Sequence, residues 1–173
     1  MTTRAVVLAV LVAAACGDEA GPMDRSTIAT IAKSRGDAQG GERTGIYAAT
    51  FEVGDCDCPD DIGINLCLSE EFADAIGVTI HVTEGDGFMV LDVDQVPTLQ
   101  LSGAIDDDGT ATLGSVYVGL DLDASLVILG RLDAEFDEDG TLTGQTSLRA
   151  QGELGGTPIS CGSELEIDGI RLN

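Results

Sequence analysis

Residues 126–152 read LVILGRLDAEFDEDGTLTGQTSLRAQG, and this stretch decides the fold. Small or apolar residues stand at every second position on both sides of an acidic break, at Leu126, Ile128, Gly130, Leu132, Ala134 and Phe136 and again at Leu142, Gly144, Thr146, Leu148, Ala150 and Gly152. A period of two is typical of half-buried strands. The break Asp137-Glu138-Asp139-Gly140 has the residues that a tight hairpin turn needs. The stretch therefore predicts two antiparallel strands joined by a short turn.

The same alternation recurs from residue 46 to the end of the chain. In residues 116–122, Val116 and Val118 alternate with Tyr117 and Gly119, which assigns the valines to the apolar face. Acidic, glycine-containing turns at 84–87 and 106–109 separate further runs. We therefore expect an all-β fold, an antiparallel meander of about eight strands that forms a small barrel or a sandwich.

One segment departs from the strand pattern. Residues 69–76 begin with a serine that can cap a helix, continue with two acids, and are followed by a glycine that can end one. The sequence therefore predicts a single short helix near 69–76.

The N-terminus has the features of an export signal. Arg4 precedes an unbroken apolar run over residues 5–15, which is too short to span a bilayer as a helix. The run ends in Ala13-Ala14-Ala15 directly before Cys16. The segment 11–16 resembles the bacterial lipobox, and the chain resembles small exported bacterial lipoproteins with a β domain. The alternative is an ordinary secretory signal peptide with an incidental Cys16.

The lipoprotein resemblance implies a processing route and a compartment. Residues 1–15 would be removed as a lipoprotein signal peptide, and the Cys16 thiol would carry the lipid, a palmitate-type acyl chain. The mature protein is then expected in the cell envelope, lipid-anchored to a bacterial membrane and either periplasmic or surface-facing. Glycine and proline in residues 16–43 predict a lipidated N-terminus on a flexible tether, with a helical turn at 26–33 too short to hold without packing. The acidic β domain is expected to occupy residues 44–173.

Charge excludes one class of partner. From Thr44 onward, the sequence has 26 acidic residues and only three basic ones, Arg131, Arg149 and Arg171. Such a field repels phosphate backbones, so we expect no nucleic-acid binding. The excess of acid fits a cation, a basic partner or simply a highly solvated surface.

Four cysteines remain after Cys16, namely Cys56, Cys58, Cys67 and Cys161. An even number in an exported domain predicts two disulfides. In an extended chain the side chains of Cys56 and Cys58 point the same way but lie too far apart to bond each other comfortably. One of them is therefore expected to pair with Cys67 and the other with Cys161. A four-thiolate zinc site is the alternative, although the chain lacks the paired Cys-x2-Cys spacing of such sites.

The acidic turns also suggest calcium. Asp106 and Asp108 lie in one turn, and Asp137 and Asp139 lie in another. Neither turn has the full series of oxygen ligands that calcium prefers, so ordinary hairpins are the simpler interpretation and no cofactor is expected.

No catalytic arrangement emerges from the sequence. His81 is the single histidine and stands among polar strand residues. The sequence offers no second histidine from which a Ser-His-Asp or Cys-His arrangement could be built. We therefore expect a non-enzymatic cell-envelope lipoprotein with a structural or partner-binding domain, held to the membrane by its lipid anchor. Two alternatives are a lipocalin-like carrier of a small apolar ligand and a calcium-dependent adhesion module.

Overall fold

A computed structural model describes residues 21–58, 77–94, 100–121, 124–154 and 156–172. These residues form one helix and eight strands, in the order α1 Arg25–Ile31, β1 Gly45–Cys56, β2 Val78–Gly85, β3 Phe88–Val93, β4 Gln100–Ile105, β5 Thr110–Asp121, β6 Ala124–Phe136, β7 Thr141–Leu154 and β8 Thr157–Leu172. The helix predicted near 69–76 lies outside the described residues, as does Cys16.

The strands close into a barrel. Each strand pairs antiparallel with the next along the chain, and β8 returns to pair with β1. The predicted all-β antiparallel meander is confirmed, and of the two predicted shapes the barrel is the one observed. Closure leaves no open sheet edge to pair with other chains.

The two ends of the barrel differ. At the hairpin end, tight turns join β2 to β3, β4 to β5, and β6 to β7. Gly87, Gly109 and Gly140 have positive φ angles of 72°, 92° and 84° in these turns, a conformation that glycine adopts without steric cost. The predicted turns are therefore confirmed. At the opposite end, called here the loop end, β1 finishes at Cys56 and β8 begins at Thr157.

Two clusters of buried side chains fill the interior. The larger one lies toward the hairpin end and includes Tyr47 and Phe136, whose rings meet edge to face at 5.7 Å. The smaller one lies toward the loop end and consists of Leu126, Ala150, Ile159 and Cys161.

The face predicted for β5 is wrong at its described positions. Leu113 and Ser115 are buried, whereas Val118 is 42% exposed. The reason is that β5 is apolar on both sides, because its outer side meets α1. Alternation alone could not distinguish a face turned to the core from a face turned to a helix.

The flexible tether predicted for 16–43 is also wrong for its described part, residues 21–43. Ile28 of α1 is fully buried. An added Cβ at Gly114 of β5 would come 2.7 Å from the Ile28 carbonyl oxygen, so helix and strand pack backbone against backbone. Ser102 Oγ of β4 also donates to the Ala32 carbonyl at 2.9 Å. A helix this short is stable only through such packing.

After α1 the chain crosses the hairpin end. The Gly36 N–H donates to the Gly87 carbonyl at 2.8 Å, and the Ala38 N–H donates to the Ile105 carbonyl at 3.2 Å. Ala38 is 1% exposed and belongs to the larger core cluster. Residues 36–43 therefore plug this end of the barrel.

Candidate functional site in the barrel interior

One row of inward-facing residues differs from its neighbours. It consists of register partners on five adjacent strands, in the order Ser115, Gly130, Leu148, Ser163 and Cys56, and is called here the serine row. The next row toward the hairpin end is mostly aliphatic, with Leu113, Leu132, Thr146, Leu165 and Val53. The serine row therefore lies between the larger and the smaller core cluster. Its side chains are smaller and more polar than those of the row beside it.

Gly130 gives the row additional space. An added Cβ at Gly130 would lie 3.4 Å from a methyl group of Leu148, 3.5 Å from Ser115 Cβ and 3.7 Å from a methyl group of Leu101. These are ordinary van der Waals distances, so the backbone leaves room for one more methyl group.

Ser163 carries the least satisfied polar group of the row. The residue is 3% exposed, and within the described part of the chain its Oγ is a buried oxygen without a hydrogen-bond partner. Leaving a buried hydroxyl without a partner costs about 1–3 kcal/mol. Such groups are rare in folded proteins and point to strain, to water or to a ligand.

Half-buried apolar side chains pack against both of the core clusters that the serine row separates. Phe51 and Val78 pack against the larger cluster, and Ile128 and Leu148 pack against the smaller one. A mostly apolar lining with a few polar groups is typical of small-molecule sites.

A β-bulge shapes the loop end of β1. The register with β8 shifts between Val53 and Cys56. Beyond the bulge, the Asp57 N–H donates to the Gly162 carbonyl at 3.1 Å, and the Gly162 N–H donates back to Asp57 Oδ1. Bulges re-aim the residues that follow them, and here the next residue is Cys58.

Cys58 forms a disulfide with Cys161, 103 residues further along the chain. The predicted bridge from the first strand region to Cys161 is therefore confirmed, with Cys58 as the partner, and the four-thiolate zinc alternative is wrong. Cys56 is also disulfide-bonded. Cys67 lies outside the described residues, so its pairing stays a prediction.

The four aspartates considered for calcium lie in two hairpin turns. Asp106 Oδ1 accepts from the Asp37 N–H at 3.2 Å, which fixes the plug. Asp108 Oδ1 accepts from the Thr110 N–H at 2.9 Å, and this hydrogen bond lowers the pKa of the Asp108 carboxyl below its usual value. Asp137 and Asp139 belong to the β6–β7 turn, where the Gly140 N–H donates to the Asp137 carbonyl at 2.9 Å.

Apart from the contact of Asp106 with Asp37, these contacts are those of hairpin turns. Among the described residues, no three His, Cys, Asp or Glu side chains lie close enough together to hold a metal ion. Calcium binding by these turns stays an untested alternative to the expectation of no cofactor.

His81 has an acidic neighbour at the surface. Its Nε2 lies 3.0 Å from Asp94 Oδ1, and about half of each side chain is exposed. The pair is a surface contact between β2 and the end of β3.

One concave region involves the serine row. It has a volume of about 440 Å³ and extends along β7 and β8 from Met23 to the bulge, and its lining includes Cys56, Leu148 and Ser163 together with the exposed residues Asp55, Arg149 and Glu164. Within it Arg149 Nη2 donates to Ser160 Oγ at 3.5 Å.

The sequence pattern contained part of the interior site. Gly130 and Leu148 stand on faces that the alternation assigned to the interior. Ser163 has the same parity as Leu165 and Ile167, so extending that run backward along β8 would have found it. Ser115 was missed because the valines after it suggested the opposite face.

No model of a known protein family matches the chain, and neither a curated protein nor a solved structure does. In the described part of the chain, no helix has the length and apolar character needed to cross a bilayer. The site must therefore be interpreted from its own geometry.

Proposed function

We propose that this chain is an exported, lipid-anchored binding protein without enzymatic activity, and that it carries a small, mostly apolar ligand at the serine row. The observation that carries the proposal is the buried Ser163 hydroxyl, which has no partner among the described residues. A ligand oxygen beside it would remove the cost of that unsatisfied group.

The chemistry of the row defines the class of ligand. Ser163 and Ser115 bring hydroxyl groups, Leu148 brings an apolar side chain to the row itself, and Ile128 follows on the same face of β6 as Gly130. A matching molecule is slim and apolar and has one hydrogen-bonding oxygen. An eight-stranded barrel has an interior wide enough for side chains or for one small ligand.

The compartment is supported by two independent features. The Cys58–Cys161 disulfide is typical of proteins outside the cytoplasm. The sequence Ala13-Ala14-Ala15-Cys16 supports lipidation at Cys16. Metabolic labelling with a fatty-acid analogue tests this part: the wild type should incorporate label and a Cys16→Ser variant should not, and equal labelling would contradict the anchor.

The interior site is tested with 1-octanol, a slim apolar chain with one hydroxyl group, by calorimetric titration. Ser163→Ala should weaken octanol binding about five- to tenfold, the effect of losing one hydrogen bond of about 1 kcal/mol. Ser125→Ala is the matched control, because Ser125 on β6 is exposed and does not line the concave region that contains Ser163. Equal affinity of the two variants, or no binding by the wild type, would overturn the proposed site.

Native mass spectrometry with and without calcium separates the remaining alternatives. A small organic mass that leaves with the protein supports the carrier. Discrete calcium adducts that raise the melting temperature would favour adhesion through the acidic turns instead.

A further inference from the structure

The packed N-terminal segment shortens the connection to the proposed anchor. Because residues 21–43 lie against the barrel, only residues 17–20 separate Cys16 from the first described residue, Gly21. An extended chain spans at most about 3.5 Å per residue, so Gly21 lies within roughly 17 Å of the lipidated residue. The barrel is therefore held close to the membrane, with the side that carries Gly21 toward it.

The position of Gly21 identifies that side. Met23 lines the concave region along β7 and β8 together with Arg149 and Ser160, which are exposed. From there α1 runs over β5, where Gly114 lies beneath Ile28. The chain thus approaches the barrel across the outer surface of β5 to β8.

An apolar surface lies beside this entry point. On the outer side of β5 and β6, Val116 pairs with Leu129 and Val118 pairs with Val127. Leu129 is fully buried, whereas Val118 is 42% exposed and Val116 and Val127 are half-buried. The three valines are called here the valine face.

The valine face adjoins the residues near Met23. Leu129 is the register partner of Arg149, and Val127 is the partner of Gln151. Neighbouring strands lie about 4.8 Å apart. The valine face is therefore well within the reach that the short connection to Cys16 allows.

The distribution of charge favours the same side. Two of the three arginines of the β domain, Arg131 and Arg149, lie on β6 and β7, and Arg131 pairs with Asp133 at 2.7 Å. On β1 and β8, by contrast, Glu52 lies directly opposite Glu166. Lipid phosphates are repelled least by the side that has the arginines.

We propose that the valine face rests on the lipid surface that holds Cys16. The proposal depends on the lipid anchor of the proposed function but not on the interior ligand. In this orientation Val118 contacts the lipid, whereas β2, on the far side of the barrel from β6, points away from it.

The chain has no tryptophan, so one introduced indole reports its surroundings without background. The experiment uses the mature lipoprotein in phosphatidylcholine vesicles, with and without brominated acyl chains. Val118→Trp is compared with Thr83→Trp, because Thr83 is exposed on β2. Val118→Trp should lose at least half of its fluorescence to the brominated lipid, and Thr83→Trp should lose almost none.

Flotation of the vesicles distinguishes a failure of the proposed lipid anchor from a failure of the proposed orientation. A protein that does not float with the vesicles contradicts the lipid anchor. A protein that floats but shows equal quenching in both variants contradicts the orientation alone. A Val118→Trp variant that also carries Cys16→Ser should neither float nor be quenched, and quenching there would show that the lipid contact arises without the anchor, which also overturns the proposal.

Discussion

Arg43 and Glu84 form an ion pair that joins the plug to β2, with Arg43 Nη1 3.1 Å from Glu84 Oε1. The Glu84 side chain is fully buried, and the backbone N–H of Arg43 donates to its other carboxylate oxygen at 2.8 Å. Arg43 Nη2 also donates to the Asp107 carbonyl at 2.8 Å. One residue therefore connects the N-terminal segment to two different hairpins.

Arg43→Met should destabilise the protein by about 3 kcal/mol, because it leaves the Glu84 carboxylate buried without its partner. Urea unfolding followed by circular dichroism measures the loss. The double variant Arg43→Met/Glu84→Gln should recover part of it, since no buried charge remains. Arg131→Met is the control for an exposed pair and should cost less than about 1 kcal/mol. Equal losses for Arg43→Met and Arg131→Met would show that the buried pair has no special role.

The architecture of the barrel followed from the sequence because alternation and turn chemistry are local signals. Residues 126–152 contain two strand faces and the Asp-Glu-Asp-Gly turn between them, and their pairing needed no information from elsewhere in the chain. The choice between barrel and sandwich was not local, because it depends on the pairing of β8 with β1, whose residues are far apart in sequence.

The N-terminal segment escaped prediction for a related reason. Its glycines and short apolar run resemble a linker, and nothing within the segment shows that Ile28 and Ala38 meet the barrel. Ala38 is 1% exposed, and its N–H donates to the carbonyl of Ile105, in a hairpin far away in the sequence. Part of the candidate site could be predicted because its signal is local. Ser163 stands at every second position with the buried residues of its own strand, which places it on the inward face.

Replacing Cys58 and Cys161 by alanine should lower the free energy of unfolding by about 4–5 kcal/mol. The bridge closes a loop of about 100 residues, and the loop-entropy model gives this magnitude for that length. Chemical unfolding of the double variant against the oxidised wild type measures it. A change below about 1 kcal/mol would contradict a stabilising role for this bridge.

Gly130→Ala and Gly144→Ala should have different effects on the stability of the protein, although both add one methyl group inside the barrel. At Gly130 the new Cβ has ordinary contacts, so stability should stay the same or rise by up to about 1 kcal/mol. At Gly144 it would come 2.6 Å from the Asp133 carbonyl oxygen, which should cost about 1–3 kcal/mol. Thermal unfolding compares the two. Gly130→Ala should also weaken octanol binding, because it fills the space at the serine row.

Tyr47 should make the protein less stable in alkali. Its ring is fully buried, and its hydroxyl donates to the Arg43 carbonyl at 2.8 Å. Burial raises the pKa of the Tyr47 hydroxyl above its usual value of 10.0, with the Glu84 charge adding to the rise and the Arg171 charge opposing it.

Because the folded pKa is the higher one, the contribution of Tyr47 is fully present below pH 10.0 and is lost as the pH rises from there through the folded pKa. Urea unfolding of the wild type and of Tyr47→Phe between pH 8 and pH 11.5 measures the difference. The wild type should lose stability relative to Tyr47→Phe above about pH 10, the unperturbed tyrosine pKa. Tyr117→Phe is the control, because Tyr117 is 39% exposed. Parallel pH profiles for the wild type and Tyr47→Phe would show that the phenol titrates alike in the folded and unfolded chains.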